Sequence, residues 1–260
     1  MNCTYYVVDA FAGRVFKGNP AGVCILNEFP GREAMRNIAA ENNLSETAFV
    51  VKRNGCYDIR WFTPAEEVDL CGHATLGSAY AISRFVEPGA EKMEFHSMSG
   101  TLFAERRGDV FTLDFPSRPP KPVETPDGLP EVLGAGVRET FLSRDLVVLL
   151  DSERQVRNLK PDFAKMGNLK GGMGVLVTAK GESTDFVSRC FFPAVGVQED
   201  PVTGSAHCSL IPFWAERLGK SRMTAAQLSA RGGLLSCELC GDRVKIGGRA
   251  ALYLTGEITF

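Results

Sequence analysis

The sequence predicts an α+β protein made of two similar domains, each a curved mixed sheet around one central helix, with the active site in the cleft between them. Two observations predict this fold. Two stretches half a chain apart repeat the same residues, and each leads into a helix without charged side chains. We place the domains at residues 1–117, together with about 251–260, and at 118–250.

The repeat covers a strand, a turn and a helix start. Its first copy contains Arg60, Phe62, Pro64, Ala65, Gly72 and Ala74, and its second contains Arg189, Phe191, Pro193, Ala194, Gly204 and Ala206. A spacing of about half the 260 residues indicates a duplicated domain, because solenoid repeats recur every 20 to 50 residues or so. The equivalent helix starts can then face one cleft, where a ligand is expected.

The other elements follow from hydrophobic periodicity and turn residues. In the first half we expect strands at 4–11, 23–26, 47–52, 56–62, 92–96, 100–106 and 110–115, and helices at 31–42 and 73–86. The proline-rich segment 116–130 is the linker candidate. In the second half we expect short helices at 129–134 and 161–166, a core helix at 204–218, and strands at 139–142, 146–150, 175–179, 184–192, 234–239, 243–247 and 250–260.

The two core helices have no polar face. No Asp, Glu, Lys or Arg occurs between His73 and Ser83, or between Ser205 and Ala215. A helix without a polar face for three turns is buried on all sides, and strands are the neighbours available to surround it. Pro212 is expected to kink the second helix or displace one of its turns.

Composition excludes several classes of function. With 29 basic and 31 acidic side chains and no basic block, the chain lacks the electrostatic footprint of a nucleic-acid or membrane-surface protein. No apolar run is long enough to span a membrane. The first strand contains Asp9, so we expect no signal peptide. Eight scattered cysteines in a chain of this size favour free thiols and a cytoplasmic location.

Neither a metal nor a cofactor is expected. Cys237 and Cys240 fall on opposite faces of a strand, and no second ligand pair accompanies them. The three histidines lack the spacing of a helical metal site, and no glycine-rich dinucleotide or phosphate motif opens a helix.

The helix starts offer anion-binding groups. The first N–H groups of a helix lack intrahelical acceptors and lie at the positive end of its dipole. Gly72 and Gly204 would let a ligand approach this backbone, beside His73 and Ser205. Asp200 and Thr203 lie just before the second helix start, and the alternative to a ligand-binding role is that one of them caps the helix. For His73 the alternative is a bond to backbone in the first helical turn.

Glu46 is the candidate acid/base. It lies where an amphipathic helix gives way to a hydrophobic strand. One interpretation is a solvated loop acid. The other is a carboxyl group in a partly apolar cleft, whose pKa is raised by desolvation until it exchanges protons near neutral pH.

Four blocks of residues resemble the PhzF-like isomerases of phenazine biosynthesis, relatives of diaminopimelate epimerase. They are residues 16–23, 43–47, 69–76 and 199–206, in the family's order over essentially the whole chain. The resemblance implies the diaminopimelate-epimerase-like fold, two barrel-like domains around central helices, with the last strand returning to the first domain. It also implies that Glu46 is the acid/base and that Ser45, Gly72, His73, Asp200, Gly204 and Ser205 line the substrate site.

The resulting hypothesis is a cofactor-independent isomerase that shifts a proton on a small carboxylate metabolite. Two alternatives stay open: a racemase or epimerase using Glu46 with a group such as Asp200, and a non-catalytic protein-binding role. A two-thiol epimerase is disfavoured, because Cys71 has no counterpart at the second helix start, and we interpret Cys71 as a packing residue. The family resemblance further implies a possible homodimer.

Overall fold

The chain divides into two compact units. The first contains the residues up to Asp114 together with Gly247–Phe260, and the second contains Phe115–Ile246. Both are seen in a computed structural model that describes residues 2–169 and 171–260.

The strands dominate both units. They are β1 (Asn2–Ala10), β2 (Asn19–Leu26), β3 (Glu46–Arg53), β4 (Cys56–Phe62), β5 (Glu67–Val68), β6 (Lys92–Ser97), β7 (Gly100–Arg107), β8 (Val110–Pro116), β9 (Lys121–Val123), β10 (Glu139–Leu142), β11 (Leu146–Leu149), β12 (Val175–Lys180), β13 (Phe186–Phe192), β14 (Val197–Asp200), β15 (Arg222–Gln227), β16 (Gly233–Cys240), β17 (Arg243–Gly248) and β18 (Ala250–Thr259). The α-helices are α1 (Arg32–Asn42), α2 (Gly72–Ala81), α3 (Leu129–Leu133), α4 (Glu153–Asn158), α5 (Phe163–Met166) and α6 (His207–Leu218).

In the first unit a mixed sheet surrounds α2. Strand β1 pairs antiparallel with both β18 and β2, β2 runs parallel to β3, and β3 is antiparallel to β4. Strand β4 is parallel to β6, from which the antiparallel strands β7 and β8 follow. Helix α2 packs against β1, β2, β3, β7 and β18.

The second unit repeats this order of pairings. Strands β9, β10 and β11 are antiparallel, β11 is parallel to β12, and β12 is antiparallel to β13. Strand β13 is parallel to β15, which pairs antiparallel with β16. Helix α6 packs against β15 and β16. The α+β class and the mixed sheets around buried helices are as predicted, and the matching topology shows the duplication directly.

The first core helix has the predicted extent. Helix α2 continues as a π-helical turn over Ile82–Val86, and its residues from Gly72 to Ala79 are buried. The second core helix begins later than predicted. Residues 204–206 form a tight turn with His207 N–H bonded to Gly204 O at 3.0 Å, and the α-helix starts at His207.

Helix α6 continues through Pro212 to Leu218. Proline has no N–H to donate to the carbonyl four residues earlier, which here belongs to Cys208. The backbone N–H of Arg118 bonds that carbonyl instead, at 2.8 Å. The buried carbonyl is therefore satisfied without a break in the helix.

Each unit has its own hydrophobic core. In the first, α1 covers β1, β2 and β3 through Met35, Ile38 and Ala39. In the second, α3, α4 and α5 contribute to a cluster with β11, β12 and β13. The eight cysteines all fall within the described residues, and none forms a disulfide. Over the part of the chain that is described, no helix has the length and apolarity needed to cross a membrane.

Candidate active site

Glu46 is positioned by the end of α1. The helix stops at Asn43, whose left-handed backbone (φ 49°) lets its N–H bond Ala39 O. Asparagine tolerates this conformation better than most residues. Two residues later the half-buried Ser45 leads into β3, where Glu46 is the first residue, paired with Ala21 of β2. The Glu46 side chain is 21% exposed, so its carboxylate is partly shielded and still accessible.

His73 lies opposite this carboxylate, in the first turn of α2. Its Nε2 is 3.3 Å from Glu46 Oε2, and its Nδ1 is 3.5 Å from Cys71 Sγ. The Nε2 approach falls short of hydrogen-bond geometry, which leaves a buried ring nitrogen unsatisfied beside Glu46. Catalytic hydrogen bonds in ligand-free sites are often long and tighten when substrate binds. We call Ser45, Glu46, Cys71, Gly72 and His73 site 1.

Burial keeps the His73 ring neutral. The side chain is 5% exposed, and desolvation lowers the pKa of His73 to about 3. A neutral imidazole has one N–H and one acceptor nitrogen. The arrangement that suits both neighbours places the proton on Nε2, facing Glu46, with Nδ1 accepting from the Cys71 thiol. Cys71 is therefore a neighbour of the site histidine as well as a buried residue, and its interpretation as a packing residue stays a prediction.

The same three side chains carry metal-binding atoms. One ligand atom each from Glu46, Cys71 and His73 lies within 4.8 Å of the others, and carboxylate, thiolate and imidazole all bind Zn²⁺. The ring of His73, however, turns one nitrogen to each neighbour. An ion can take only one of these nitrogens, so it would have to replace one of the two contacts.

The strand before each core helix is held by an equivalent ion pair. Arg60 binds Glu67 through Nε and Nη2 at 2.6 and 2.8 Å, and Arg189 binds Glu199 at 2.7 and 2.9 Å. Both pairs are bidentate, the strong geometry for guanidinium and carboxylate. The arginines belong to the sequence repeat; their glutamate partners were not identified there. The two glutamates lie at the same sequence distance before Gly72 and Gly204.

In the second unit, a buried amide fixes the loop that leads to α6. Gln227 Oε1 accepts from Thr203 N–H at 2.9 Å, and its Nε2 donates to Asp200 O at 2.7 Å. The Thr203 hydroxyl donates to the Asp200 carboxylate at 2.5 Å. Helix α6 has Ala206 at its N-cap position without a side-chain bond, so neither Asp200 nor Thr203 caps it. The half-buried carboxylate of Asp200 is instead oriented by Thr203.

A side chain that the sequence did not single out contacts Ser205. Arg144 Nη2 lies 3.2 Å from Ser205 Oγ and 2.7 Å from Asp145 Oδ2. The sequence feature that could have indicated this side chain is the charged pair Arg144-Asp145, directly before the buried strand β11. We call Arg144, Asp200, Thr203, Gly204 and Ser205 site 2.

The predicted site residues thus fall into two groups. Ser45, Glu46, Gly72 and His73 lie in the first unit, around the start of α2. Asp200, Gly204 and Ser205 lie in the second unit, before α6. His73 contacts side chains and is not bonded to backbone as the alternative interpretation required. Its role, like those of the other residues, stays a prediction.

The comparisons with known proteins find relatives over the whole length of this chain. The family model for phenazine biosynthesis-like proteins (PhzC-PhzF) matches residues 8–128 and 130–256. Two uncharacterised isomerases of Pseudomonas aeruginosa are each 50% identical, over 99% of both chains. A PhzF-family protein of Enterococcus faecalis has a crystal structure that matches with a TM-score of 0.98, at 46% identity over the whole of both chains. A hydroxyproline epimerase from Agrobacterium vitis shares the fold alone (TM-score 0.63, 11% identity, 99% of this chain and 92% of that one).

The duplicated fold and the likeness to named isomerases define this chain as an enzyme of the isomerase class with an epimerase-like fold. The chain belongs to the PhzC/PhzF family of phenazine biosynthesis-like proteins. This assignment argues against the non-catalytic protein-binding role that the sequence left open.

Proposed function

We propose that this enzyme is a cofactor-independent isomerase that shifts a proton within a small carboxylic acid, with Glu46 as the acid/base. The observation that carries the proposal is the contact between Glu46 Oε2 and the neutral, buried His73, at 3.3 Å. The neutral imidazole can donate a hydrogen bond to this carboxylate without placing a positive charge beside it.

The reaction consists of two proton transfers. Glu46 takes a proton from an acidic C–H of the substrate, so that the C–H bond breaks, an O–H bond forms, and the electron pair spreads into the conjugated acid. Glu46 then returns the proton to another carbon of that system. The N–H groups of Gly72 and His73 at the start of α2 stabilise the enolate-like charge, as preorganised donors do in other enzymes.

His73 orients the base. With its proton on Nε2, the ring faces Oε2 of Glu46 and fixes the direction of the carboxylate. In site 2, the N–H groups of Gly204 and Ser205, the Ser205 hydroxyl and the Asp200 carboxylate are the substrate-binding groups in this proposal. Its support is the duplication, which gives both core helices a glycine-led start beside polar side chains.

The test is hydrogen exchange. The enzyme is incubated in D₂O with a set of small conjugated carboxylic acids, and deuterium in recovered acids is measured by mass spectrometry. Glu46→Gln keeps the shape of the side chain and cannot carry the proton, so we expect exchange and turnover to fall by at least about a hundredfold. Glu41→Gln, in an exposed residue of α1, is the matched control and should be unaffected. Near-native turnover by folded Glu46→Gln would eliminate Glu46 as the base and make Asp200 the leading candidate.

A second candidate reaction is epimerisation or racemisation. The presence of an acid in each site, Glu46 in site 1 and Asp200 in site 2, favours it, since inversion needs a proton acceptor and a proton donor. In the second copy of the repeat, the residue at the position of Cys71 is Thr203, so a pair of thiols cannot act as the proton acceptor and donor. Deuterium appearing only at an inverted stereocentre, without migration of a double bond, would identify this reaction.

A further inference from the structure

Arg144 is fixed against the first turn of α6 by its neighbours. Ser143 Oγ is 2.7 Å from Ser209 Oγ, and Arg144 Nη2 is 3.2 Å from Ser205 Oγ. Ser205 lies in the tight turn before α6, and Ser209 lies in the first turn of that helix. Two side-chain contacts therefore hold residues 143 and 144 along the N-terminal end of α6.

The backbone around Arg144 is equally constrained. Met173 N–H donates to Arg144 O at 3.0 Å, and Leu146 N–H donates to Gly174 O at 2.9 Å. Gly172, with φ +83°, packs so closely that a Cβ would lie 2.7 Å from Leu146 N. Only glycine suits such a position. Residues 172–174 thus fix the backbone at the start of β11, and with it the backbone of Arg144.

The guanidinium is oriented by one oxygen of a buried carboxylate. Arg144 Nε and Nη2 lie 3.0 and 2.7 Å from Asp145 Oδ2. Asp145 is 1% exposed, whereas the Arg144 side chain is 29% exposed. Among the residues that the structure describes, Arg144 Nη1 makes no hydrogen bond. One edge of the guanidinium is therefore held, and the other remains able to bind.

Charged side chains of both signs lie around Arg144. Burial raises the pKa of the Cys208 thiol to about 11, while Arg118, Arg144 and Arg243 act in the opposite direction. The carboxylates of Asp145 and Asp200 lie in the same region, where their negative charges raise the pKa of the Cys190 thiol. The groups that favour an anion next to Ser205 are therefore the Arg144 guanidinium itself and the N-terminal end of α6.

We propose that Arg144 binds a second carboxylate of the substrate, and that the enzyme therefore acts on dicarboxylic acids. The inference rests on the proposed function, in which site 2 binds the substrate. Arginine suits this role because its planar fork can hold Asp145 and a ligand carboxylate at the same time. Neutral or singly charged analogues would leave this guanidinium edge without a partner.

The test compares succinate with butyrate, which have the same chain length and differ in the second carboxylate. Binding is measured by isothermal titration calorimetry.

Removing Arg144 alone would leave Asp145 buried and unpaired, which endangers folding. The main variant is therefore Arg144→Met combined with Asp145→Asn. Arg144→Lys keeps the charge without the fork, and Arg222→Gln is the control, since Arg222 is an exposed residue of the same unit paired with Glu238.

We expect the parent protein to prefer succinate, and the double variant to lose about tenfold in succinate affinity while butyrate affinity stays within about twofold. Arg144→Lys should keep part of the preference, and Arg222→Gln all of it. A parent protein without a preference for succinate, including one that binds neither acid, overturns the proposal. So does an equal loss for both acids. Glu46→Gln should still bind succinate. A wrong assignment of Glu46 as the base would therefore appear in turnover and not in succinate binding, whereas a wrong role for Arg144 would appear in binding.

Discussion

At the scale of single residues, the unusual feature of site 1 is a histidine that does not titrate near neutral pH. Desolvation lowers the pKa of His73 to about 3, so the ring is neutral wherever the enzyme is folded and active. A change of activity between pH 5 and 8 would therefore come from another group.

Cys71 is expected to set the tautomer of His73. Its thiol is 3.5 Å from Nδ1, and without it the ring can place its proton on either nitrogen. We expect Cys71→Ala to lower kcat about fivefold, the scale of one neutral hydrogen bond, with little change in KM. Cys71→Ser, which keeps a donor, should recover most of the activity.

Steady-state kinetics of the two variants separate this role from packing. If Cys71 only filled space, alanine and serine would differ in unfolding midpoint and not in kcat. Equal kcat values for Cys71→Ala and the parent would contradict the positioning role.

At the scale of elements, the repeated arginine–glutamate pairs connect a strand to the segment before each core helix. The Glu67 side chain is 5% exposed, and Arg60 holds the pKa of its carboxyl below the ordinary value, with help from Arg32. A glutamate with a lowered pKa stabilises the folded state above its unfolded pKa of about 4.5. That contribution disappears as the pH falls through the folded pKa.

We expect Arg60→Met to destabilise the protein by about 3 kcal/mol at pH 7, because a buried carboxylate loses its main partner. The difference from the parent should shrink as the pH falls below about 4.5, where protonation removes the charge in both proteins. Urea unfolding between pH 3.5 and 7 measures it. Arg60→Met with Glu67→Gln should be more stable than Arg60→Met alone; an equally unstable double variant would show that packing, not charge, is responsible.

The elements also show what the sequence could and could not predict. Helix α2 was predictable because it lacks charges over three turns. Strand β15 was missed because Arg-Met-Thr-Ala-Ala-Gln contains few β-formers, although its residues alternate in burial. Helix α4, of six residues, is too short to show a helical period. The start of α6 was placed three residues early, since a tight turn and a first helical turn have similar sequences.

The candidate site was predictable only where side chains belong to a motif. Glu46, His73 and Ser205 fall in the four blocks that resemble the PhzF-like family. Arg144 lies outside these blocks, and its contact with Ser205 joins residues that are distant in sequence. Cys71 lies inside one block, but a single sequence does not reveal that its thiol meets His73 Nδ1. Such contacts depend on tertiary packing.

At the scale of the whole molecule, the two units are topologically alike and differ in how the chain builds them. The second unit is continuous, whereas the first needs β18, which pairs along the full length of β1. Without β18, the N–H and C=O groups on that side of β1 would lose their partners.

Deleting Ala250–Phe260 should therefore remove amide protection from β1 and β2. The core of α3, α4 and β11–β13 should keep its protection, since it lies within the second unit. Hydrogen exchange followed by mass spectrometry distinguishes the two regions. Equal loss of protection in both would show that the units unfold as one.

The pairing of β1 with β18 also bears on how the protein matures during translation. Domains generally fold in the order in which they leave the ribosome, the N-terminal one first. Here the last strand of the first unit is made only after all of Phe115–Ile246. The second unit can complete its sheet while the nascent first unit still lacks its closing strand. The unit that carries Glu46, although it begins first, therefore completes its sheet after the unit that follows it in the chain.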